Sequence, residues 1–223
     1  MIKIENTEVF GWEAAIRGMR NPMNSWDKSD SGLFLQSVYD VELGYEPEYE
    51  YVIGENDLKL MQNLSKAGND HGKFLRMINV TMDVTAPLYW WKEFDTYKVG
   101  TVANSCSTMH KIHAKEFTLD DFSWEHLRGT YLDSLKFTIG VLNKARNSFL
   151  QTSDKLFWWQ MIQLLPNSYN QRRTVQLNYA VLRNINRPNS RKFHKQDEWR
   201  EFCKWCDTLP YYLDIFNGVS SNE

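Results

Sequence analysis

The chain has 223 residues, a net charge of −2, 42% hydrophobic and 24% charged residues, and an aromatic share of 14% with nine tryptophans. This is the composition of a water-soluble globular protein, long enough for one well-packed domain. The slightly acidic balance argues against broad nucleic-acid binding, which needs a basic surface. No apolar run reaches the roughly 18 residues of a membrane span. The first residues are charged and lack an apolar segment, so no signal peptide is expected. Three cysteines cannot all pair within the chain, which fits free thiols in a reducing cytoplasm.

In chain order, residues 2–10 read as a strand and 11–19 as a helix. Turn chemistry fills 20–32, and 33–53 mixes strand and helix signals. Asn56 is placed to cap a helix reaching about residue 67, and 68–72 form a turn. Ile78, Val80, Met82 and Val84 alternate with polar residues, the period of a half-buried strand. Pro87 suits the first turn of a short helix carrying Lys92, Glu93 and Thr96, which Gly100 closes. A polar loop follows to Lys111. Thr118 to Asp121 resembles a capping box, opening a long helix over 122–151 broken mildly at Gly140. Asp154 caps a further helix that Pro166 stops. Residues 167–173 read as a polar turn, 174–177 as a strand, 178–186 as a helix, 187–192 as a basic loop and 196–209 as a last helix, with a frayed tail after 217. The expected class is α+β: a helix-rich single domain over 1–223 with a mostly antiparallel sheet.

Local motifs carry little chemistry. Cys203-Lys-Trp-Cys206 lies inside a helix with no preceding strand and no second cysteine pair, so it reads as two ordinary helical thiols. His110 and His113 are three residues apart, with no further ligand evident in the sequence. No Gly-x-Ser-x-Gly, phosphate-binding glycine loop or dinucleotide fingerprint is present.

Taken together, the segments from about 71 to 201 resemble the flavin-dependent thymidylate synthases. The resemblance rests on the strand over 78–85, Ala86-Pro87, Lys92-Glu93-Phe94, Leu165-Pro166, Thr174-Val-Gln-Leu-Asn178, Asn184 and Glu198-Trp199. The family's Arg-His-Arg signature falls on Thr96-Tyr97-Lys98, its next Ser on Thr101, and its second Ser on Cys106. A one-residue shift would align Asn104 and Ser107 with the motif's Asn and Ser instead. The arginines expected before Leu-Pro and after the helix-opening Asn are Ile162 and Ala180. Each lost charge-assisted bond is worth roughly 1.5–3 kcal/mol. Lys92, Lys98, Arg172, Arg173, Arg183, Arg187 and Arg191 are candidates to compensate.

The resemblance implies FAD as cofactor, with reduced nicotinamide and methylenetetrahydrofolate as co-substrates. It implies a pyrimidine nucleotide such as dUMP as substrate, methylated at C5, and a homotetramer with FAD at a subunit interface. It places His71, Tyr97, Lys98, Asn104, Asn178 and Asn184 toward the flavin, and Lys92, Glu93, Cys106, Ser107 and Arg187 toward the nucleotide, with no catalytic side chain. Two alternatives stand beside it: a non-catalytic binding or assembly protein, and an enzyme modifying another pyrimidine nucleotide.

Overall fold

Alternation dominates the centre of the chain. From Asn79 to Pro87 (strand β4), Val80, Met82, Val84 and Ala86 are buried while Asn79, Thr81, Asp83 and Thr85 are partly exposed. The computed structural model describes residues 1–37 and 48–217. The elements before β4 are β1 (Lys3–Phe10), α1 (Trp12–Arg20), β2 (Gly32–Ser37), β3 (Glu48–Val52) and α2 (Glu55–Lys66). After it come α3 (Leu88–Phe94), β5 (Val102–Ser105), α4 (Thr130–Thr152), α5 (Lys155–Leu164), β6 (Asn170–Asn178), α6 (Tyr179–Ile185), α7 (Asp197–Cys206) and α8 (Tyr212–Asn217). One sheet has the order β1-β4-β6-β5, and β2 pairs with β3 as an antiparallel hairpin. The helix-rich α+β class with a mostly antiparallel sheet is therefore as expected. Among the described residues, no helix is long and apolar enough to cross a membrane.

Two compact units divide the chain. The first gathers Met1–Thr7, Thr81–Val175 and His194–Phe202, the second Glu8–Val80, Gln176–Phe193 and Cys203–Glu223. In the first, Trp90, Trp91, Phe94, Trp199 and Phe202 form one aromatic core. The α4–α5 pair closes another around Phe117, Phe122, Leu142 and Met161. Asp83 ties three strands together by accepting hydrogen bonds from Thr174 Oγ1 (2.6 Å), Asn6 Nδ2 (2.8 Å) and Arg172 Nη2 (2.7 Å). In the second unit, Trp12, Tyr179 and Tyr212 meet edge to face in the core.

Several boundaries differ from the sequence reading. Pro87 ends β4 and caps α3, whose first two free N–H groups donate to the carbonyls of Tyr169 and Asn167. That helix stops at Phe94, before Thr96 and Gly100. The Thr118–Asp121 capping box closes only a short 3-10 turn. Phe122 then bridges to Tyr169, so the long helix starts at Thr130, and Gly140 lies within it unbroken. The polar loop contains β5, and the polar turn over 167–173 already belongs to β6 from Asn170. The helix expected over 196–209 is α7, which ends at Cys206, and a further helix, α8, follows beyond that range. The ambiguous 33–53 stretch forms β2 and β3, and its middle, 38–47, lies outside the described residues, as does the tail after 217.

Asn56 does not cap α2. Gly54 holds that position, and Asp30 receives the N–H groups of Asn56 (2.9 Å) and Asp57 (3.1 Å) instead. Asp57 is fully buried and in turn accepts from Arg20 Nε (2.6 Å), both hydroxyls of Ser29 and Ser31, and the N–H groups of Asp30 and Ser31. The loop over 20–32 is therefore pinned by one carboxylate. Burial pushes the Asp57 carboxyl up, but the hydrogen bonds from Ser29, Ser31 and Arg20 outweigh it and hold the group below the ordinary carboxylate range.

Two expectations follow for stability. Because the folded-state pKa of Asp57 is depressed, its contribution is complete above the ordinary range near about pH 4 and is lost as pH falls below it. Asp57→Asn should lower stability at pH 7 by roughly 3–5 kcal/mol and flatten the acid limb of a melting-temperature profile. Glycine substitutions should split in sign. Gly11 has φ +96°, and an added Cβ would lie 2.2 Å from the Met77 carbonyl oxygen, so Gly11→Ala should destabilise by about 1–3 kcal/mol. Gly140 sits in helix α4 with open space around it, so Gly140→Ala should stabilise by up to about 1 kcal/mol in the same calorimetric comparison.

Candidate functional site

Helix α3 divides its side chains by spacing. Trp90, Trp91 and Phe94 turn into the aromatic core, while Lys92 is exposed and Glu93 half-buried. The indole N–H of Trp91 donates to the main-chain carbonyl of Gln171 on β6 (2.9 Å). Two residues along that strand, the Arg173 guanidinium lies over the Trp91 ring, 4.2 Å from its centre. Gln171 Oε1 receives Arg173 Nε (3.0 Å), and Asp95, just past α3, receives its Nη1 (2.7 Å). The guanidinium is thus fixed in position and plane.

Arg173 opens onto a cavity of about 330 Å³, lined also by Phe94, Asp95, Tyr97, Lys98, Thr101 and Ala103. Lys98 is exposed and makes no ion pair among the described residues. Tyr97 packs edge-on against Trp199, 6.0 Å between ring centres. Thr101 Oγ1 is buried with no hydrogen-bond partner. A buried hydroxyl left unsatisfied costs about 1–3 kcal/mol, and the residue that carries this one lines the cavity. Two cations, one carboxylate, a hydroxyl and aromatic walls suit a small anion with a planar part.

Tyr97 and Lys98 are the sequence-expected residues that this cavity brings together. The others of the first unit lie outside its lining. Lys92 Nζ donates to Asn167 Oδ1 (3.0 Å). Glu93 Oε2 accepts from Trp199 Nε1 (3.1 Å), with His194 Nε2 at 3.9 Å. Asn104 is exposed on β5, at the edge of the sheet. Cys106 presents an exposed thiol, while its main chain pairs with Arg172 and with the Gln171 side chain. Ser107 Oγ accepts the N–H groups of Met109 and His110, the pattern of a turn cap.

In the second unit, His71 is exposed at the head of a 3-10 turn. Asn178 is buried, and its Oδ1 accepts from Val181 N (3.1 Å), so it caps α6. Asn184 is exposed on the same helix, and Arg187 lines a separate cavity of this unit. Cys203 and Cys206 are buried. Burial pushes the Cys203 thiol up to about 12 and raises that of Cys206 as well, the reverse of an activated thiol.

Thr101, Asp95 and Trp91 were not singled out as ligand contacts from the sequence, and Arg173 was one of seven basic candidates. The available signal was the period of β6: Gln171, Arg173, Val175 and Leu177 share one face, which places an arginine in line with core residues.

No family model matches the chain, and no curated protein sequence matches it. Solved structures do. Thymidylate synthase X (ThyX) from Helicobacter pylori, crystallised with FAD and dUMP, is 14% identical, with 98% of each chain covered and a TM-score of 0.66. The UMP/dUMP methylase PolB from Streptomyces cacaoi, bound with 5-Br dUMP, is also 14% identical, covering 99% of this chain and 98% of its own, with a TM-score of 0.60. The chain has the fold of the flavin-dependent thymidylate synthases.

The Thr101 hydroxyl gives a test of the cavity that needs no ligand. Thr101→Val keeps the shape and removes the orphan group, so the ligand-free protein should become more stable by on the order of 1 kcal/mol. A lower melting temperature in calorimetry would instead make the hydroxyl structural.

Proposed function

We propose that this protein is a flavin-dependent enzyme that methylates a pyrimidine nucleotide, dUMP or UMP, at C5. The observation that carries the reading is the cavity of Tyr97, Lys98, Thr101 and Arg173. It coincides with the segment that stands at the position of the family signature, in a fold shared with proteins crystallised with FAD, dUMP and 5-Br dUMP.

The residues present fit a nucleotide-sized anion. Arg173 supplies a fixed guanidinium for phosphate, Lys98 a mobile ammonium, and Thr101 a hydroxyl that can donate or accept. Arg173 thereby places positive charge where the signature arginines were lost at Thr96-Tyr97-Lys98. At about 330 Å³ the cavity lies at the small end of ligand pockets, so it suits a mononucleotide or one end of FAD rather than the whole cofactor. The remainder of FAD would lie on a second copy in a homotetramer. The exposed apolar residues of α4 and α5, Tyr131, Phe137, Leu156, Trp159 and Leu164, offer surface for that assembly.

When bound, the reduced flavin supplies the electrons that convert a transferred one-carbon unit, given by methylenetetrahydrofolate, into a methyl group. The side chains then position and charge-stabilise, with Tyr97 walling the ring and Arg173 and Lys98 holding the phosphate. No protein nucleophile is required, so Cys106 stands outside the reaction. Free thiols suit a cytoplasmic setting for this chemistry.

A non-catalytic nucleotide-binding protein is the second reading, favoured by the replacement of Arg-His-Arg. Purified protein decides between them. The enzyme reading expects flavin absorbance, a tetrameric mass by light scattering, and a rise in melting temperature with dUMP or UMP. Arg173→Ala should weaken nucleotide binding by about 10- to 100-fold. Failure to take up FAD, with no nucleotide-dependent shift, would sink it; a nucleotide shift without flavin supports the second reading.

A further inference from the structure

Asp95 is the one carboxylate among the residues lining the Arg173 cavity. Its side chain is 50% exposed, against 15% for that of Arg173. Its Oδ1 accepts from Arg173 Nη1 (2.7 Å), and among the described residues its Oδ2 accepts nothing. A carboxylate has about four acceptor positions on its two oxygens, so a single bond leaves most of that capacity open. The contrast within the same unit is with Asp83, which takes hydrogen bonds from Thr174, Asn6 and Arg172.

Holding Arg173 does not call for that open oxygen. Gln171 Oε1 takes the Nε hydrogen (3.0 Å), and the Trp91 ring supports the guanidinium face at 4.2 Å. An amide oxygen at position 95 would accept the Nη1 hydrogen equally well, without setting a negative charge beside a bound phosphate. Arg173 Nη2 makes no hydrogen bond among the described residues, so it is the nitrogen left for the phosphate. A phosphate there and the Asp95 carboxylate repel each other, and the charge is an advantage only where the same ligand brings hydrogen-bond donors to it. The dimensions of a nucleotide say which donors. Asp95 and the phosphate would share one guanidinium, so the part of the ligand within reach of Oδ2 is the part next to the phosphate. In a nucleoside 5′-monophosphate that part is the sugar, and the base N–H lies at the far end. A carboxylate accepts from the two neighbouring hydroxyls of ribose at once, as acidic residues do in dinucleotide-binding folds. Deoxyribose offers one hydroxyl fewer.

We propose that Asp95 is a specificity-determining residue of this cavity: its free carboxylate oxygen accepts the ribose 2′-hydroxyl, so the site prefers UMP to dUMP. The proposal rests on the nucleotide reading of the Arg173 cavity and decides between the two nucleotides that reading leaves open. Asp95 lies outside the signature positions, which fall on Thr96-Tyr97-Lys98.

The experiment is isothermal titration of the full-length chain, with and without added FAD, against UMP, dUMP and 2′-O-methyl-UMP, in wild type and Asp95→Asn. Wild type should bind UMP at least about tenfold more tightly than dUMP or 2′-O-methyl-UMP, which keeps the oxygen but loses the donor. Asp95→Asn keeps an acceptor for Arg173 Nη1 and should bring the two affinities to within about threefold of each other. The change should come from weaker UMP binding, with dUMP binding unchanged or tighter, because a negative charge beside the phosphate is gone. A residue that only holds Arg173 would weaken both nucleotides alike and leave their ratio as in wild type. That result overturns the proposal, as do equal affinities for UMP and dUMP in wild type, or tight binding of 2′-O-methyl-UMP. These outcomes leave nucleotide binding itself intact, whereas wild type that binds neither nucleotide overturns the reading of the cavity and the proposal together. The comparison of the three ligands on wild type stands even if the variant fails to fold.

Discussion

Trp91 joins the scaffold of the first unit to its chemistry. Its ring is 1% exposed, packed edge-on against Trp90 and Phe94, and its indole N–H is spent on the Gln171 carbonyl. This fixes α3 against β6 at one point. The same ring face carries Arg173, so the guanidinium sits on a platform that cannot move without breaking the aromatic core. A buried tryptophan needs a partner for its N–H, and a cation over its face gains from a rigid ring. Both needs are met by residues two apart on one strand. The position of the Arg173 guanidinium is thereby set by core packing, with Asp95 and Gln171 holding its plane.

That dependence explains what was legible in the sequence. The β4 alternation, the Asp154 cap and the stop at Pro166 are local rules, and they hold. The misread boundaries are long-range outcomes. The Thr118–Asp121 capping box satisfies its own donors within one turn and needs no helix behind it. Pairing of Phe122 with Tyr169, 47 residues on, then keeps the chain extended. Asp30 caps α2 from 26 residues away, a service no window around Asn56 reveals. Tyr97 and Lys98 were visible because they occupy signature positions. The partnership of Arg173 with Trp91 spans 82 positions, and 167–173 read as a polar turn because Asn170 to Arg173 carries only polar side chains.

The treatment of polar groups separates structural from ligand-facing regions. Asp57 is buried and accepts from five donors, so its loop is fully specified and its carboxylate has no capacity left for chemistry. Asp83 is similarly saturated by Thr174, Asn6 and Arg172. The orphan atoms are distributed otherwise. Of seven buried side-chain polar atoms without a partner among the described residues, four belong to residues lining the two basic cavities: Thr101 in one, and Ser65, Arg183 and Asn186 in the other.

Burying a polar group without a partner lowers stability, and a folded chain tolerates it where something else supplies the bond. Random placement would scatter such atoms through the core beside the aromatic clusters, as Trp90 Nε1 is. Their concentration beside lysines and arginines, in a protein of slightly negative net charge, ties the two observations together. The reaction assigned to the first cavity depends on the flavin. The Arg173 guanidinium is clamped by Asp95 and Gln171 from within the fold, so its position and plane are set by the protein alone.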